Sequence, residues 1–351
     1  MSSQTMKYRR IAAFGATLLL IATIPCAGRA AGPAAGKSTA IPDVLVYADA
    51  DFYDGAEIPY AVIVDKSRQQ IRWYGKQNRW RTIAKWPCST GKQTGRKSIE
   101  GDRKTPVGVY FAVRKIDGQF LSDTYGSQAL PLDYPNVMDR SSARTGSAIW
   151  LHGTNKPLQP RDSNGCVVIE NHVIDQLASH IRINRTPVII VERIHLWPEK
   201  TARRLADRIL SAADRWQCAV MDGDYQDFRR SYALVAMPSV QWWNRWCRYR
   251  RKPAAEDRFQ SVIRHRAIYR SGRYYVLLFD HYLKDGALEV WAGCRKLYFA
   301  VEEDRVAIVA EALQAAPDKA TDPLFSAWQK LWKKSEQRSR MAATQISDAD
   351  L

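Results

Sequence analysis

The chain of 351 residues has little long apolar sequence, few cysteines and too few acids. After Ile24 no segment is apolar enough to cross a bilayer, which needs about 20 such residues. No internal repeat is visible, so solenoid architectures are excluded. Six cysteines cannot staple a chain of this length, and 19 glycines with 16 prolines exclude a collagen-like repeat. Acidic residues number 36 against 53 Lys and Arg, giving a net charge of +17. Such an excess favours an anionic partner. At 46% hydrophobic and 25% charged the composition is globular, and the length suffices for two domains with proper cores. Twelve Trp add large aromatic bodies, which serve as core or as carbohydrate-facing surface.

The apolar run itself has a recognisable layout. Lys7, Arg9 and Arg10 precede Ile11 to Ile24, and small residues follow through Gly28, Ala30 and Ala31. A basic start, a short apolar middle and a small-residue exit read as a secretory signal peptide over 1–30. The alternative is a retained single-span anchor. Cys26 follows Pro25 and makes a poor lipid acceptor. Cleavage removes four cations and no anions, leaving +13. An exported basic protein is expected to meet peptidoglycan carboxylates or other anionic envelope polymers, and not nucleic acid. Five cysteines remain, an odd number, which in an oxidising compartment leaves one unpaired.

Residues 31–57 are rich in Ala, Gly, Pro and Asp without sustained periodicity and read as a linker or arm. From 58 to 194 short strands are expected at Ala61–Val64, Gln70–Tyr74, Arg81–Trp86, Val109–Val113, Ala148–Leu151 and Pro187–Glu192. A helix is expected over Val173–Ile181, and residues 117–147 read as a long excursion over a sheet. The second unit, 200–313, opens with a helical stripe of Leu205, Ile209, Ala212, Trp216 and Ala219. Further helical segments cover Tyr225–Leu234 and the Trp242, Trp243, Trp246 cluster, and four antiparallel strands fill 261–310. Residues 314–351 read as an amphipathic helix followed by a disordered tail from Ser335. The fold class is therefore a β-rich domain followed by an α+β domain.

Chemistry concentrates where His152-Gly153-Thr154 ends a strand and Ser163-Asn164-Gly165-Cys166 follows, with His and Cys 14 residues apart. A thiol needs a base to become a nucleophile near neutral pH. A loop of this length can bring the imidazole back to the sulfur. The amides of Asn164, Gly165 and Cys166 are candidates to face a developing oxyanion. On residue types alone, an inert buried Cys and a hydrogen-bonded core His are the favoured reading.

The motifs HGT and SNGC, with GDRKTPVGVYF upstream, resemble the YkuD-type L,D-transpeptidase catalytic domain over about 60–193. The resemblance implies that Cys166 is the nucleophile, His152 the base and Ser163 a supporting hydroxyl. It implies a thioester at the third residue of peptidoglycan stem peptides, with release of D-alanine and no metal or organic cofactor. Resolution by water gives an L,D-carboxypeptidase; resolution by a stem amine gives a 3→3 cross-link. Two positions depart from cross-linking members: Asn164 replaces a histidine, and Val168 stands where an Arg or Asn is frequent. The second unit looks like an NTF2-like domain, and the combination is similar to cell-shape L,D-carboxypeptidases of curved and helical bacteria.

Substrate contacts are expected from Gly153, Thr154, Tyr134, Asn136, Arg140 and Arg161, with Arg140, Arg144 or Arg161 replacing the missing arginine. Plain surface or loop roles are the alternative. The Trp cluster lines a glycan or peptide pocket or, in the favoured reading, packs a core. Cys88 is expected to be buried, and His172 and His180 structural. A non-catalytic wall-binding or scaffold protein is the competing functional reading. Because the Cys/His pair lies in the first unit, removal of 200–351 is expected to spare the chemistry.

Overall fold

A computed structural model of the chain describes residues 40–52, 58–250, 259–316 and 322–349. The expected signal peptide, its anchor alternative and Cys26 lie outside these residues. In chain order, β1 (Ala40–Pro42) and β2 (Leu45–Ala48) precede β3 (Tyr60–Asp65), β4 (Gln70–Lys76), β5 (Trp80–Pro87) and β6 (Gly108–Phe111). Then come β7 (Ile116–Asp117), β8 (Gln128–Pro131), α1 (Val137–Ser141), β9 (Trp150–His152), β10 (Val167–Val168), α2 (Asn171–His180), β11 (Pro187–Val191) and β12 (Leu196–Pro198). The remainder holds α3 (Glu199–Asp222), α4 (Tyr225–Arg230), α5 (Val240–Arg250), β13 (Phe259–Ser271), β14 (Tyr274–Asp285), β15 (Leu288–Val301), β16 (Val306–Ala315) and α6 (Pro323–Ala349).

The central sheet runs β5-β4-β3-β11-β6. Its inner strands read as unbroken apolar runs because both faces are covered. Side chains alternate across a strand. Val62, Val64, Tyr110, Val188 and Ile190 therefore face α2, whose Val173, Ile174, Leu177 and Ala178 share their core. Ala61, Ile63, Val109, Phe111 and Ile189 face the other way. There they meet Ala267, Tyr269, Val276, Leu278 and Tyr298 of the second sheet, ordered β16-β15-β14-β13-β2. That sheet is two-sided as well. Its Ile268, Leu277, Phe279, Leu297 and Phe299 pack against helices of the C-terminal unit. Helix α3 supplies Ala206, Ile209, Ala213, Trp216 and Val220 at helical spacing and stops at Gly223 in the left-handed region, φ 71°.

Four layers result: α2, the catalytic-side sheet, the C-terminal sheet and the helices. Polar ties join the middle two. Lys296 Nζ donates to Asp133 Oδ2 at 2.7 Å, Gln314 Nε2 to Asn184 Oδ1 at 2.9 Å, and Arg185 to Asp280.

Several expectations change. The described part of 31–57 is not plain linker: β1 pairs with β12 and β2 adds a fifth strand to the C-terminal sheet. Its Ile41, Val44, Leu45 and Phe52 are buried, a pattern too short and turn-interrupted to show periodicity. The excursion contains β8, which pairs with β9. Helix α6 continues past Ser335 to Ala349, so the expected disordered tail is helical. Trp243 and Trp246 are core residues, with Trp246 Nε1 donating to Val220 O, while Trp242 is only partly buried.

The shared core bears on truncation. A fragment ending at 194 would expose the Ala61, Ile63, Val109, Phe111 and Ile189 face, and each larger chain left in water forfeits about 1.5–3 kcal/mol. We expect such a fragment to be insoluble or to bind hydrophobic dyes without near-UV dichroism. A soluble fragment with cooperative melting would show the interface to be dispensable.

Candidate active site

Strands β9 and β10 run parallel, with Leu151 opposite Val167 and His152 opposite Val168. This pairing brings the end of one motif beside the start of the next, so Cys166 lies one step before β10 and next to Trp150. Ser163 sets the turn between. Its Oγ accepts from Gly165 N–H at 3.1 Å and donates to Cys166 O at 2.7 Å. Gly165 has φ 137°, and an added Cβ would lie 3.1 Å from Lys104 O, so glycine is required. Its N–H is taken by Ser163, which removes Gly165 from the expected oxyanion donors and leaves the amides of Asn164 and Cys166.

A second clamp holds this loop from below. Thr105 is fully buried; its Oγ1 accepts from Gly91 N–H at 2.8 Å and donates to Gly165 O at 2.9 Å. Its carbonyl accepts from Lys66 Nζ at 2.9 Å, and Lys66 is tied in turn to Glu192 at 2.7 Å. The TPVG motif thus ties the glycine loop 91–101 to the cysteine loop.

His152 is buried, and its Nδ1 lies 2.6 Å from Gly153 O. The carbonyl fixes the tautomer with hydrogen on Nδ1, so Nε2 is the free acceptor. Gly153 is required by close packing: a Cβ there would meet Asn171 Oδ1 at 2.3 Å. Tyr125 meets the imidazole edge-on with centroids 4.9 Å apart and tilts against Trp150 at 4.8 Å. Burial lowers the His152 pKa against the opposing Gly153 contact. Burial also raises the Cys166 pKa, opposed by the Trp150 N–H and the charge of Lys97. Sγ lies 3.6 Å from Ala148 O. Burial thus disfavours the charged form of both groups.

One cavity of about 380 Å³ collects these groups. His152, Cys166, Ser163, Asn164, Thr154 and Val168 line it, together with Tyr125, Lys92, Lys156 and Asp162, which sequence reasoning missed. Lys156 follows HGT by two positions and Lys92 lies in the glycine loop, so proximity to motifs was the available signal. Tyr125, deep in the excursion, gave none.

The expected substrate residues divide. Tyr134 is core, its hydroxyl donating to Thr145 O at 3.0 Å. Asn136 caps α1 through the amides of Met138 and Asp139. Arg140 donates to Pro135 O, Arg144 binds Asp139 at 3.2 Å, and the Arg161 amide donates to Gln69 Oε1 at 3.0 Å. None of these five lines the cavity; the side chains of Tyr134, Asn136, Arg140 and Arg144 are already occupied by capping, turn and ion-pair bonds. His172 pairs with Glu170 at 3.3 Å, and His180 packs on Trp73; both lie on α2 away from the cavity. All five described cysteines are free thiols. Cys88 is buried, its pKa raised to about 12. Among the described residues no cluster of His, Cys, Asp and Glu suits a metal ion. The C-terminal unit has a separate cavity of about 190 Å³ lined by Trp216, Trp242, Arg295 and Glu311 among others.

Two measurements test this geometry. Thr105→Val keeps shape while deleting both hydroxyl bonds, and we expect Cys166 alkylation and turnover to fall about tenfold with a stability loss of about 1–3 kcal/mol. Unchanged reactivity would show the clamp to be purely structural. With a raised thiol pKa and a lowered imidazole pKa, Cys166 alkylation should climb through and beyond pH 8.5 with no plateau between pH 5 and 7. A neutral-pH plateau would reveal an ion pair instead. Site-resolved mass analysis is needed, since Cys218 is exposed and should also react, whereas Cys88 and Cys294 are buried and should not.

No curated protein sequence matches the chain. Two solved structures share its fold across both units. Bd1075 of Bdellovibrio bacteriovorus aligns with TM-score 0.65 and 21% identity, covering 80% of this chain and 100% of its own. The helical cell shape determining protein Pgp2 of Campylobacter jejuni aligns with TM-score 0.60 and 22% identity, covering 77% and 95%. Residues 59–190 match the family model of YkuD, the L,D-transpeptidase catalytic domain.

Proposed function

We propose that the chain is a cell-envelope cysteine enzyme that acts on peptidoglycan stem peptides and mainly trims them. One observation carries the reading: Cys166 and His152 line a single cavity inside the segment that matches the L,D-transpeptidase family. The likeness to Pgp2, whose name describes a determinant of helical cell shape, agrees with such a role. The competing scaffold reading draws on the second cavity, but it gives no reason for the clamps that hold the Cys166 loop.

The chemistry starts from a neutral pair. As a stem peptide binds, Cys166 Sγ attacks the carbonyl at the L-centre of the third residue while its proton passes to His152 Nε2. The oxyanion rests on the Asn164 and Cys166 amides. The imidazolium then protonates the leaving D-alanine amine, and a thioester remains. Water or an acceptor amine resolves it, regenerating the thiol.

Partition between these two depends on seating the acceptor. A transferase must hold an amine at the thioester and keep water from reaching it first. Val168 lines the cavity without charge, so one anchor frequent in cross-linkers is absent. Loss of a charged hydrogen bond is worth about 1.5–3 kcal/mol, enough to shift partition tenfold or more toward water.

Purified protein with muropeptides should therefore convert tetrapeptide to tripeptide and D-alanine, with 3→3 dimers a minor product by mass analysis. Cys166→Ala should be folded and inactive. Dimers with little free tripeptide would sink the hydrolase preference. Turnover by folded Cys166→Ala would remove the mechanism.

A further inference from the structure

The candidate cavity has no arginine, yet it is not without cations. Apart from His152, its charged lining residues are Lys92, Lys156 and Asp162, a balance that favours an anion. Lys92 stands on the cysteine side, because its N–H donates to Ser163 O at 2.9 Å. Its ammonium lies 3.5 Å from Asp162, with both side chains about half exposed or more. Such exposed pairs are weak and exchange readily. Lys156 stands on the histidine side, four residues after His152, its N–H held by Thr154 Oγ1 at 3.0 Å. No carboxylate pairs with its ammonium among the described residues. Of the arginines that sequence reasoning offered for this duty, Arg140 and Arg144 are bonded elsewhere, and none of the three lines the cavity.

We propose that Lys156, with Lys92 on the facing wall, binds the free C-terminal carboxylate of the peptide being cleaved, which confines the site to removal of a terminal residue. The inference rests on the acyl-transfer reading above and names the feature of the substrate that the site selects. In a terminal residue the carboxylate carbon is three bonds from the reacting carbonyl carbon, within about 4–5 Å by standard bond lengths. A lysine on the rim of the same cavity has the reach to meet it while Cys166 meets the carbonyl. An interior peptide bond offers a neutral amide at that position. A lysine is a flexible point charge and lacks the fork of an arginine, so selection by charge should be stronger than selection by shape.

Two readouts separate this proposal from the reading beneath it. Binding of a tetrapeptide stem and of its C-terminal carboxamide is measured by calorimetry on folded Cys166→Ala, and release of the terminal residue is measured on the native protein. The carboxylate form should bind about tenfold or more tightly, and the difference should collapse in K156Q, fall partly in K92Q and persist in K156R. A preference unchanged in K156Q and in the K92Q/K156Q double variant overturns the anchor, whether or not the enzyme turns over. Lysine-dependent binding without any release from the native protein leaves the anchor standing and overturns acyl transfer. Absence of both binding and release overturns both.

Discussion

The described residues are arranged around a β-sheet whose inner strands β3 and β11 have no wet face. Val62, Val64 and Ile190 are buried on one side and Ala61, Ile63 and Ile189 on the other, all at essentially zero exposure. Such strands can carry no solvent-facing chemistry, since a charge placed there would be stranded far from water. The reacting groups are displaced to the separate small sheet β10-β9-β8-β7 and to the loops that leave it. There a buried base and a half-buried thiol remain within reach of one cavity. The same constraint explains why the C-terminal sheet is part of the fold. It supplies the surface that the catalytic-side sheet needs on its far face.

Reading the sequence went furthest where periodicity and motif agreed. Strands at 61–64 and 187–192, the helix beside the SNGC motif and the four long C-terminal strands were visible because each has a run of apolar residues at a definite spacing. What stayed hidden was set by tertiary partners. The strand at 45–48 exists because it adds to an edge that begins more than 200 residues later. The two-faced sheet looks identical, in sequence, whether its second cover is a helix or another sheet. In the site, HGT and SNGC pointed to the right loops, whereas Tyr134, Asn136, Arg140 and Arg144 looked available and are consumed by local bonds. Polarity marks a residue as needing a partner. It does not say that the partner is a ligand.

The electrostatics of the pair follow from the same burial. Desolvation disfavours every charged form, so it raises the thiol and lowers the imidazole together. A pre-formed thiolate would need compensation that the resting pocket only partly provides, through the Trp150 N–H and the Lys97 charge. Lys97 is itself paired with Asp102 at 2.8 Å, which dilutes its field at the sulfur. In the proposed reaction ionisation is then coupled to attack, when developing charge on the carbonyl oxygen gains the loop amides. A neutral resting thiol is also less reactive toward oxidants, which suits a chain whose five described cysteines are free.

The C-terminal unit reaches the chemistry through the excursion. Lys296, nearly fully buried and lying over the Phe111 ring at 5.2 Å, holds Asp133 at 2.7 Å. Asp133 in turn accepts from Phe111 N–H at 2.8 Å and directly follows Leu132, whose amide bonds Ile149 O at 2.9 Å. Ile149 leads into Trp150, the residue whose N–H supports the Cys166 sulfur. Five short steps thus join a lysine of the second sheet to Cys166. Each is a hydrogen bond or a direct chain link, so the second sheet and the Cys166 loop share one packed frame. The two units are for this reason better regarded as one machine with a continuous frame than as a catalytic domain with an appended binding module.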